Sequence, residues 1–337
     1  MKSSKMQVLI TGCYKSGTDY TTQLLNNHPN FASIMDVVQF MRFCFDRYNP
    51  IGSETNYSKL IYDAAYRISL RTNYKVNIDK VLHHCNQVSK VNYALLYDAI
   101  FSDLFLTDAV HSWADKTQLV WTRVPDFLGM FPNGKVIHIV RDPRNVMASF
   151  KKSTYAPEPA YLSAVFNCYD SMKKGLFYRD NYDDKIFYLL KFEDLLLDTE
   201  KVICDIFEFL ELSVNHDLLS QDPMIDVHGK PWFHNSSFMD PKDQTTKFDR
   251  QAATERWKIN LEKEDITLCE AINGEVMDSY GYTSSGMSLP WDQMLKRVMS
   301  DENLTLHLQK WICEGKGIEA FPTDPLLSKN WGINNST

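Results

Sequence analysis

Short apolar segments alternate along this chain with longer stretches in which hydrophobic residues recur every three to four positions. The apolar segments cover residues 7–11, 118–122, 135–140 and 185–192. Short runs of this kind, bounded by helical periodicity, are typical of strands that are buried on both faces of a parallel sheet. The pattern therefore predicts an α/β fold, with a central parallel sheet flanked by helices.

The longer stretches predict where these helices lie. Residues from about 57 to 105 read as two or three helices between the first two predicted strands, and 200–212 and 261–280 predict two more. Gly281 follows the last of these, as a helix C-cap residue would. Residues 285–337 are too apolar for a free tail. We expect a main domain over residues 1–284, with a helical insertion at about 40–112, and a C-terminal extension that packs on the core or on a partner.

Composition and charge narrow the class of protein. The chain has 337 residues and a formal net charge of -7, which provides no global basic field for nucleic acid or an anionic membrane. Its seven cysteines are dispersed, without a C-x-x-C pair, and this indicates reduced thiols and no zinc site. No apolar run approaches the roughly 20 residues of a membrane span. We expect a cytoplasmic protein without a signal peptide, and a homo-oligomer is compatible with the sequence.

The sequence GCYKSGTD at residues 12–19 joins the first predicted strand to an amphipathic helix at about 20–27. A strand, a tight turn and a helix start bring backbone N–H groups and the helix dipole to one point, which suits an anion. The glycines keep the G-x-x-x-x-G spacing of triphosphate-binding loops, but Lys15 lies inside the loop. Asp19 cannot supply the hydroxyl that binds magnesium, so a kinase or nucleoside triphosphatase is the less favoured interpretation. Taken alone, the loop fits a structural glycine turn equally well.

Two motifs carry a resemblance to a known family. KSGT at 15–18, followed by LLNNHP at 24–29, resembles the 5'-phosphosulfate loop of sulfotransferases that use 3'-phosphoadenosine-5'-phosphosulfate (PAPS). The segment VIHIVRDPRNVMASF at 136–150 is similar to the 3'-phosphate element of the same family. The resemblance implies a P-loop nucleotide-kinase-like sulfotransferase fold, PAPS as donor, adenosine 3',5'-bisphosphate (PAP) as product, and no metal.

The resemblance also implies which residues bind the donor. They are Lys15, Ser16, Gly17, Thr18, Asp19, Tyr20, Arg141, Ser149, Phe192, Ser237, Phe238 and Arg250. Phe192 stands where the family carries a tyrosine, so it can pack but cannot donate a hydrogen bond. Arg250 matches the first residue of an Arg-Lys-Gly triplet for the 3'-phosphate, whose other two positions are Gln251 and Ala252. Arg256 is the alternative donor to this phosphate.

The family mechanism implies in-line attack of an acceptor hydroxyl on the sulfur of PAPS. Lys15 is expected to neutralise the bridging oxygen, and Lys116 in the segment WADKTQ is expected to be a second catalytic lysine. Gln118 occupies the position of the histidine base of cytosolic members and cannot accept a proton. Asp19 is electrostatically unfavourable beside a phosphosulfate unless it caps the helix or orients Lys15.

The resemblance offers a replacement for the missing base. Related enzymes that act on glycans or protein tyrosine use a carboxylate after the first helix, and Asp36 matches this description. Weaker candidates are His111, Asp115, His83 and His84.

The acceptor is the least determined part of the sequence interpretation. We expect a carbohydrate or glycolipid hydroxyl, with a small hydroxylated metabolite as a close alternative and peptide tyrosine as a distant third. The aromatic residues of the helical insertion either line an acceptor pocket or form an ordinary core. A non-catalytic protein that binds PAP and has lost its base is a further alternative.

Overall fold

The computed structural model describes residues 5–35, 38–72, 74–151, 158–214, 250–317 and 327–328. Within them, five parallel strands form one sheet in the order β2-β3-β1-β4-β5. The strands are β1 (Met6–Gly12), β2 (Phe31–Met35), β3 (Ser112–Lys116), β4 (Lys135–Val140) and β5 (Phe187–Lys191). The predicted α/β class with a central parallel sheet is confirmed.

One strand prediction is wrong. Residues 118–122 do not form a strand, because Leu119 adopts a left-handed φ of 57° and Trp121 begins a 3-10 turn. The third strand in the chain is β3, whose last two residues are the buried Asp115 and Lys116. The sequence pattern did not predict β3 because of these charged residues, since a buried central strand is expected to be apolar. The short strand β2 was also missed, and it separates the helical insertion from β1.

The helices flank the sheet on both faces. They are α1 (Thr18–Leu25), α2 (Phe40–Phe43), α3 (Glu54–Arg71), α4 (Ile78–Asn86), α5 (Tyr93–Phe105), α6 (Val124–Met130), α7 (Pro143–Lys151), α8 (Ser163–Asn181), α9 (Phe192–Leu197), α10 (Thr199–Phe209), α11 (Arg250–Asn260), α12 (Lys263–Ser279), α13 (Trp291–Leu295) and α14 (Glu302–Glu314). The predicted helices at 57–105, 200–212 and 261–280 are confirmed as α3 to α5, α10 and α12. Gly281 follows α12 with a φ of 73°.

Alternate residues of the central strands belong to two different hydrophobic cores, one on each face of the sheet. Leu9 and Val136 pack into the cluster built by α3 to α5, whereas Ile10 and Ile137 pack against α1, α9 and α10. This alternation follows from the two-residue period of a strand. Because β1 lies in the middle of the sheet, the loop that follows it lies at the centre of the edge where the strands end.

The described part of the predicted extension packs against the rest of the chain. Met294 and Val298 are buried in a third cluster, which also contains Phe166 of α8 and Ile272 of α12. Arg297 donates a hydrogen bond to the buried carboxylate of Asp265 at 2.7 Å. The division of the chain at residue 284 stays a prediction.

Two further sequence expectations concern membrane association and thiols. In the part of the chain that the structure describes, no helix is both long enough and apolar enough to cross a bilayer. All seven cysteines are unpaired thiols.

Candidate functional site

The loop after β1 is a tight turn stabilised by its own backbone. The Ser16 N–H and hydroxyl both donate to the carbonyl oxygen of Cys13, at 3.2 and 2.8 Å. Lys15 and Gly17 have left-handed φ angles of 65° and 99°. These conformations turn the chain from β1 into α1, so that the helix begins at Thr18. The predicted anion-binding loop is thus placed at the helix start, where N–H groups and the helix dipole favour negative charge.

Two glycines of the loop allow neighbouring elements to approach closely. A Cβ on Gly12 would lie 2.8 Å from the Ser16 hydroxyl and would collide with the carbonyl oxygen of Ile139. A Cβ on Gly17 would lie 2.7 Å from Cγ of Phe192. The loop therefore rests directly on β4 and on the first residue of α9, and this contact fixes its position.

Gly17→Ala is expected to destabilise the protein and distort the loop. A left-handed φ at a residue with a side chain costs about 1–3 kcal/mol, and the collision with Phe192 adds to this. Denaturant titration would measure the loss in free energy of unfolding. Gly274→Ala in α12 is the matched control, because its new Cβ would meet no atom within 4 Å and alanine favours a helix. Equal stability of the two variants would contradict the tight contact.

The end of β3 contacts the first turn of α1 through two side-chain pairs. The Lys116 ammonium donates to the carboxylate of Asp19, and Gln118 Nε2 donates to the Thr18 hydroxyl at 3.1 Å. Lys116 is fully buried, whereas the Asp19 side chain is 27% exposed. Gln118, at the position of the expected histidine base, thus anchors the loop.

Arg141 connects the loop with α11. It follows β4, and its guanidinium donates to the carbonyl oxygens of Lys15, at 2.7 Å, and of Ala253. The same group lies 5.0 Å from the ring centroid of Phe192. Burial lowers the pKa of Arg141 to about 10, so it keeps its charge at neutral pH. A buried, charged arginine therefore lies beside the predicted anion loop.

Ser149 and Arg256 form the second half of this region. Arg256 of α11 donates to the Ser149 hydroxyl of α7 at 3.1 Å. Asn145, one turn earlier on α7, donates to the carbonyl oxygen of Thr254 at 2.7 Å and holds the two helices together. Arg250 is exposed at the start of α11, about 9 Å along the helix from Arg256. The structure thus brings the alternative donor, Arg256, to Ser149.

Phe192 packs against Gly17 of the loop, and Tyr20 of α1 packs against Phe192. Both are buried, and their rings meet edge to face with centroids 5.9 Å apart. Sequence reasoning overlooked Glu193, which follows Phe192. Its carboxylate accepts hydrogen bonds from the Asp142 N–H and the Tyr282 hydroxyl, and burial raises its pKa. This acid fixes the corner between β4 and α7, and its place directly after Phe192, a residue that the resemblance had singled out, was the signal for it.

The candidate bases lie in different places. Asp36, the first candidate, lies outside the described residues, as do the predicted donor-binding residues Ser237 and Phe238. Asp115 is buried, accepts hydrogen bonds from the Phe40 N–H and the Tyr97 hydroxyl, and has a pKa raised by burial.

The three candidate histidines lie on other elements of the fold. His83 and His84 lie on α4, and His83 contacts Gln87, which directly follows this helix. His111 precedes the start of β3, whereas the loop lies near its end.

Polar groups also border the loop on the side of the helical insertion. Arg42 of α2 is buried and donates to the Tyr14 hydroxyl at 2.9 Å and to Gln39 at 3.4 Å. Tyr14 is the neighbour of Lys15 in the loop. Sequence reasoning did not single out Arg42, because only the tertiary fold brings α2 to this loop.

Among the described residues, no group of three or more histidine, cysteine, aspartate or glutamate side chains could hold a metal ion.

Comparison with known proteins identifies the family of this chain and supports its fold. The profile described as "Sulfotransferase family" matches residues 7–217. The chain resembles the sulfotransferase domain of the Synechococcus PCC 7002 olefin synthase, with TM-score 0.54 and 18% identity, covering 86% of this chain and 98% of that one. It also resembles a sulfotransferase domain of the curacin biosynthetic pathway, with TM-score 0.51, 16% identity and coverage of 84% and 99%. No curated protein matches the sequence. Structural likeness at these identities shows the fold alone.

Proposed function

Because the chain belongs to the sulfotransferase family, we propose that it transfers a sulfuryl group from PAPS to a hydroxyl acceptor. The transfer forms a bond between sulfur and the acceptor oxygen and breaks the bond between sulfur and the 5'-phosphate oxygen. The acceptor loses its hydroxyl proton to a base, and PAP is the leaving product.

One observation carries the choice of donor. Two groups of residues whose chemistry suits anions lie at the ends of the neighbouring strands β1 and β4, and the Arg141–Lys15 hydrogen bond joins them. Ligands of open α/β sheets bind at this edge of the sheet. The loop with Lys15 suits a phosphosulfate, and Arg141 with Ser149 and Arg256 suits a second phosphate. A nucleotide with phosphates at both its 5' and 3' positions fits this pair of sites.

Lys15 and Lys116 are the proposed catalytic residues. Negative charge develops on the bridging oxygen as the sulfur–oxygen bond breaks, and a fixed ammonium group stabilises it. Lys116 ends β3 next to Ile10 of β1, and its ammonium reaches the first turn of α1. As in phosphoryl transfer, positioning and neutralisation of charge provide most of the rate enhancement. Asp36 stays our proposed general base, since Gln118 cannot accept a proton.

A carbohydrate or glycolipid hydroxyl is the proposed acceptor. Support comes from Arg42 and Tyr14, which place hydrogen-bonding groups beside the loop on the side of the helical insertion. A polyhydroxylated acceptor can exchange hydrogen bonds with polar groups of this kind, whereas an apolar one cannot. A small hydroxylated metabolite with several polar groups is the alternative.

The main experiment separates three functions. Purified protein is incubated with PAPS labelled at sulfur and a panel of sugars, glycolipids and small hydroxylated metabolites, and PAP and Mg-ATP binding are measured by calorimetry. Transfer of label together with PAP binding supports the proposed function. PAP binding without transfer to any acceptor favours a non-catalytic binding protein. ATP hydrolysis without PAP binding favours a nucleoside triphosphatase or kinase.

Arg256→Met is expected to weaken PAP binding by about 10–100-fold, because a hydrogen bond to a charged group contributes about 1.5–3 kcal/mol. Binding of adenosine 5'-monophosphate, which lacks the 3'-phosphate, is expected to change less than threefold. Arg250→Met on the same helix is the matched control. A larger loss with Arg250→Met than with Arg256→Met would place the 3'-phosphate at the start of α11 instead.

A further inference from the structure

Asp19 is an acidic residue beside the loop that we propose binds the negatively charged phosphosulfate of the donor. It is the second residue of α1, directly after the loop, and its carboxylate pairs with the Lys116 ammonium. Its side chain is 27% exposed, whereas Lys116 is fully buried. A solute that enters the loop can therefore approach Asp19, whereas the Lys116 side chain has no exposed surface.

The pair is favourable while the site holds no nucleotide. A buried ammonium without a counter-charge is strongly destabilising, and breaking such a pair by removing one partner is expensive. Asp19 supplies a negative charge to Lys116 from a helix N-terminus, where a carboxylate is itself favoured. The contact joins residues 97 positions apart and, together with the Gln118–Thr18 hydrogen bond, fastens β3 to α1.

The same pair opposes the binding of an anion. A 5'-phosphate held by the loop N–H groups would lie near the Asp19 carboxylate, because Asp19 is the second residue of the helix that begins at this loop, and like charges repel each other. The Lys116 ammonium can neutralise charge on the nucleotide only if it contacts the nucleotide and Asp19 together or breaks its contact with Asp19. A neutral side chain at this position would remove both effects.

We propose that Asp19 competes with the nucleotide for Lys116, and that this competition weakens nucleotide binding and speeds release of the product. The inference rests on the proposed PAPS function. Asp19 is thus a positioning residue that acts through Lys116. This role explains why an acidic residue lies beside a loop proposed to bind an anion. Its carboxylate keeps the empty site stable, and the nucleotide replaces it as the counter-charge.

Asp19→Asn tests this inference, because asparagine has the same shape without the charge. PAP is expected to bind this variant about tenfold more tightly than the wild type, the scale of one partly screened charge interaction. Stopped-flow measurement is expected to show slower dissociation of PAP. The variant without nucleotide is expected to melt at a lower temperature, since Lys116 has lost a carboxylate. Asp19→Glu, which keeps the charge, is expected to bind PAP like the wild type.

Adenosine 3'-monophosphate is the control ligand, because it lacks the 5'-phosphate, and its affinity is expected to stay unchanged in Asp19→Asn. A purely structural role for Asp19 predicts the opposite sign, with weaker binding of PAP. Unchanged or weaker PAP binding by Asp19→Asn would therefore overturn the inference. Asp19→Ser carries the same prediction if the asparagine variant does not fold. If the wild type itself does not bind PAP, the proposed donor is wrong, a failure that the wild-type titration alone reveals.

Discussion

Lys15→Met is expected to lower kcat for sulfuryl transfer by a factor of about 10²–10³, the usual loss when a preorganised donor to a developing negative charge is removed. Methionine has a similar length but no charge, so the leaving oxygen loses its neutralising partner. The position is well suited to a clean test. The main-chain carbonyl of Lys15, and not its side chain, accepts the Arg141 hydrogen bond, so the substitution leaves this contact in place.

Two controls accompany the kinetic measurement. Lys185→Met changes an exposed lysine just before β5, at the opposite edge of the sheet, and is expected to keep wild-type kcat. Calorimetry with PAP is expected to show a smaller loss in affinity than in kcat, because the loop N–H groups and Arg141 remain. Wild-type kcat in Lys15→Met would remove Lys15 from the catalytic role, whereas equal losses in both variants would indicate a non-specific effect of charge.

The part of the site that could be predicted from the sequence is local. A strand, a glycine-containing turn and a helix start are adjacent in the chain, so residues 12–19 predict an anion-binding loop without knowledge of the rest of the fold. The corner after β4 is equally local, with Arg141 at the strand end and Pro143 at the first position of α7. Parallel strands end at one edge of a sheet, and this rule alone predicts that the two corners lie near each other.

What could not be predicted depends on distant contacts. The pairing of Asp19 with Lys116 requires the order of the strands, because only the insertion of β3 beside β1 brings the two charges together. The choice between Arg250 and Arg256 depends on which face of α11 meets α7, which the motif spacing does not reveal. The same limit explains the error at 118–122, where an apolar segment is buried as a turn and not as a strand.

Arg141 brings the local and the distant parts of the site together. Its guanidinium contacts the loop carbonyl of Lys15, the α11 carbonyl of Ala253 and the ring of Phe192. One side chain thus holds the loop and the helix that carries Arg256, in addition to the charge that we propose it offers to the 3'-phosphate. Its removal is expected to affect both nucleotide binding and stability.

Arg141→Met is expected to weaken PAP binding by more than about 100-fold, since a charge-assisted contact to phosphate is lost and Arg256 is no longer held in place. The carbonyl oxygens of Lys15 and Ala253 would also lose a donor, which is expected to lower the free energy of unfolding by about 2–5 kcal/mol. The ratio of PAP affinity to adenosine 5'-monophosphate affinity separates the effect on stability from the effect on the 3'-phosphate site. A destabilised site weakens the binding of both ligands, whereas a lost 3'-phosphate contact weakens only the binding of PAP.

Arg144→Met is the matched control for this ratio. Arg144 lies three residues further on and is equally buried, but its guanidinium pairs with Asp142 and Glu270 and lies over the ring of Trp257. Its loss is expected to destabilise the protein to a similar extent while leaving the affinity ratio within about threefold of wild type. If both substitutions lowered the ratio equally, Arg141 would act only through the fold. A selective fall with Arg141→Met would assign Arg141 to the 3'-phosphate site, where it acts through its own charge and through its hold on the helix of Arg256.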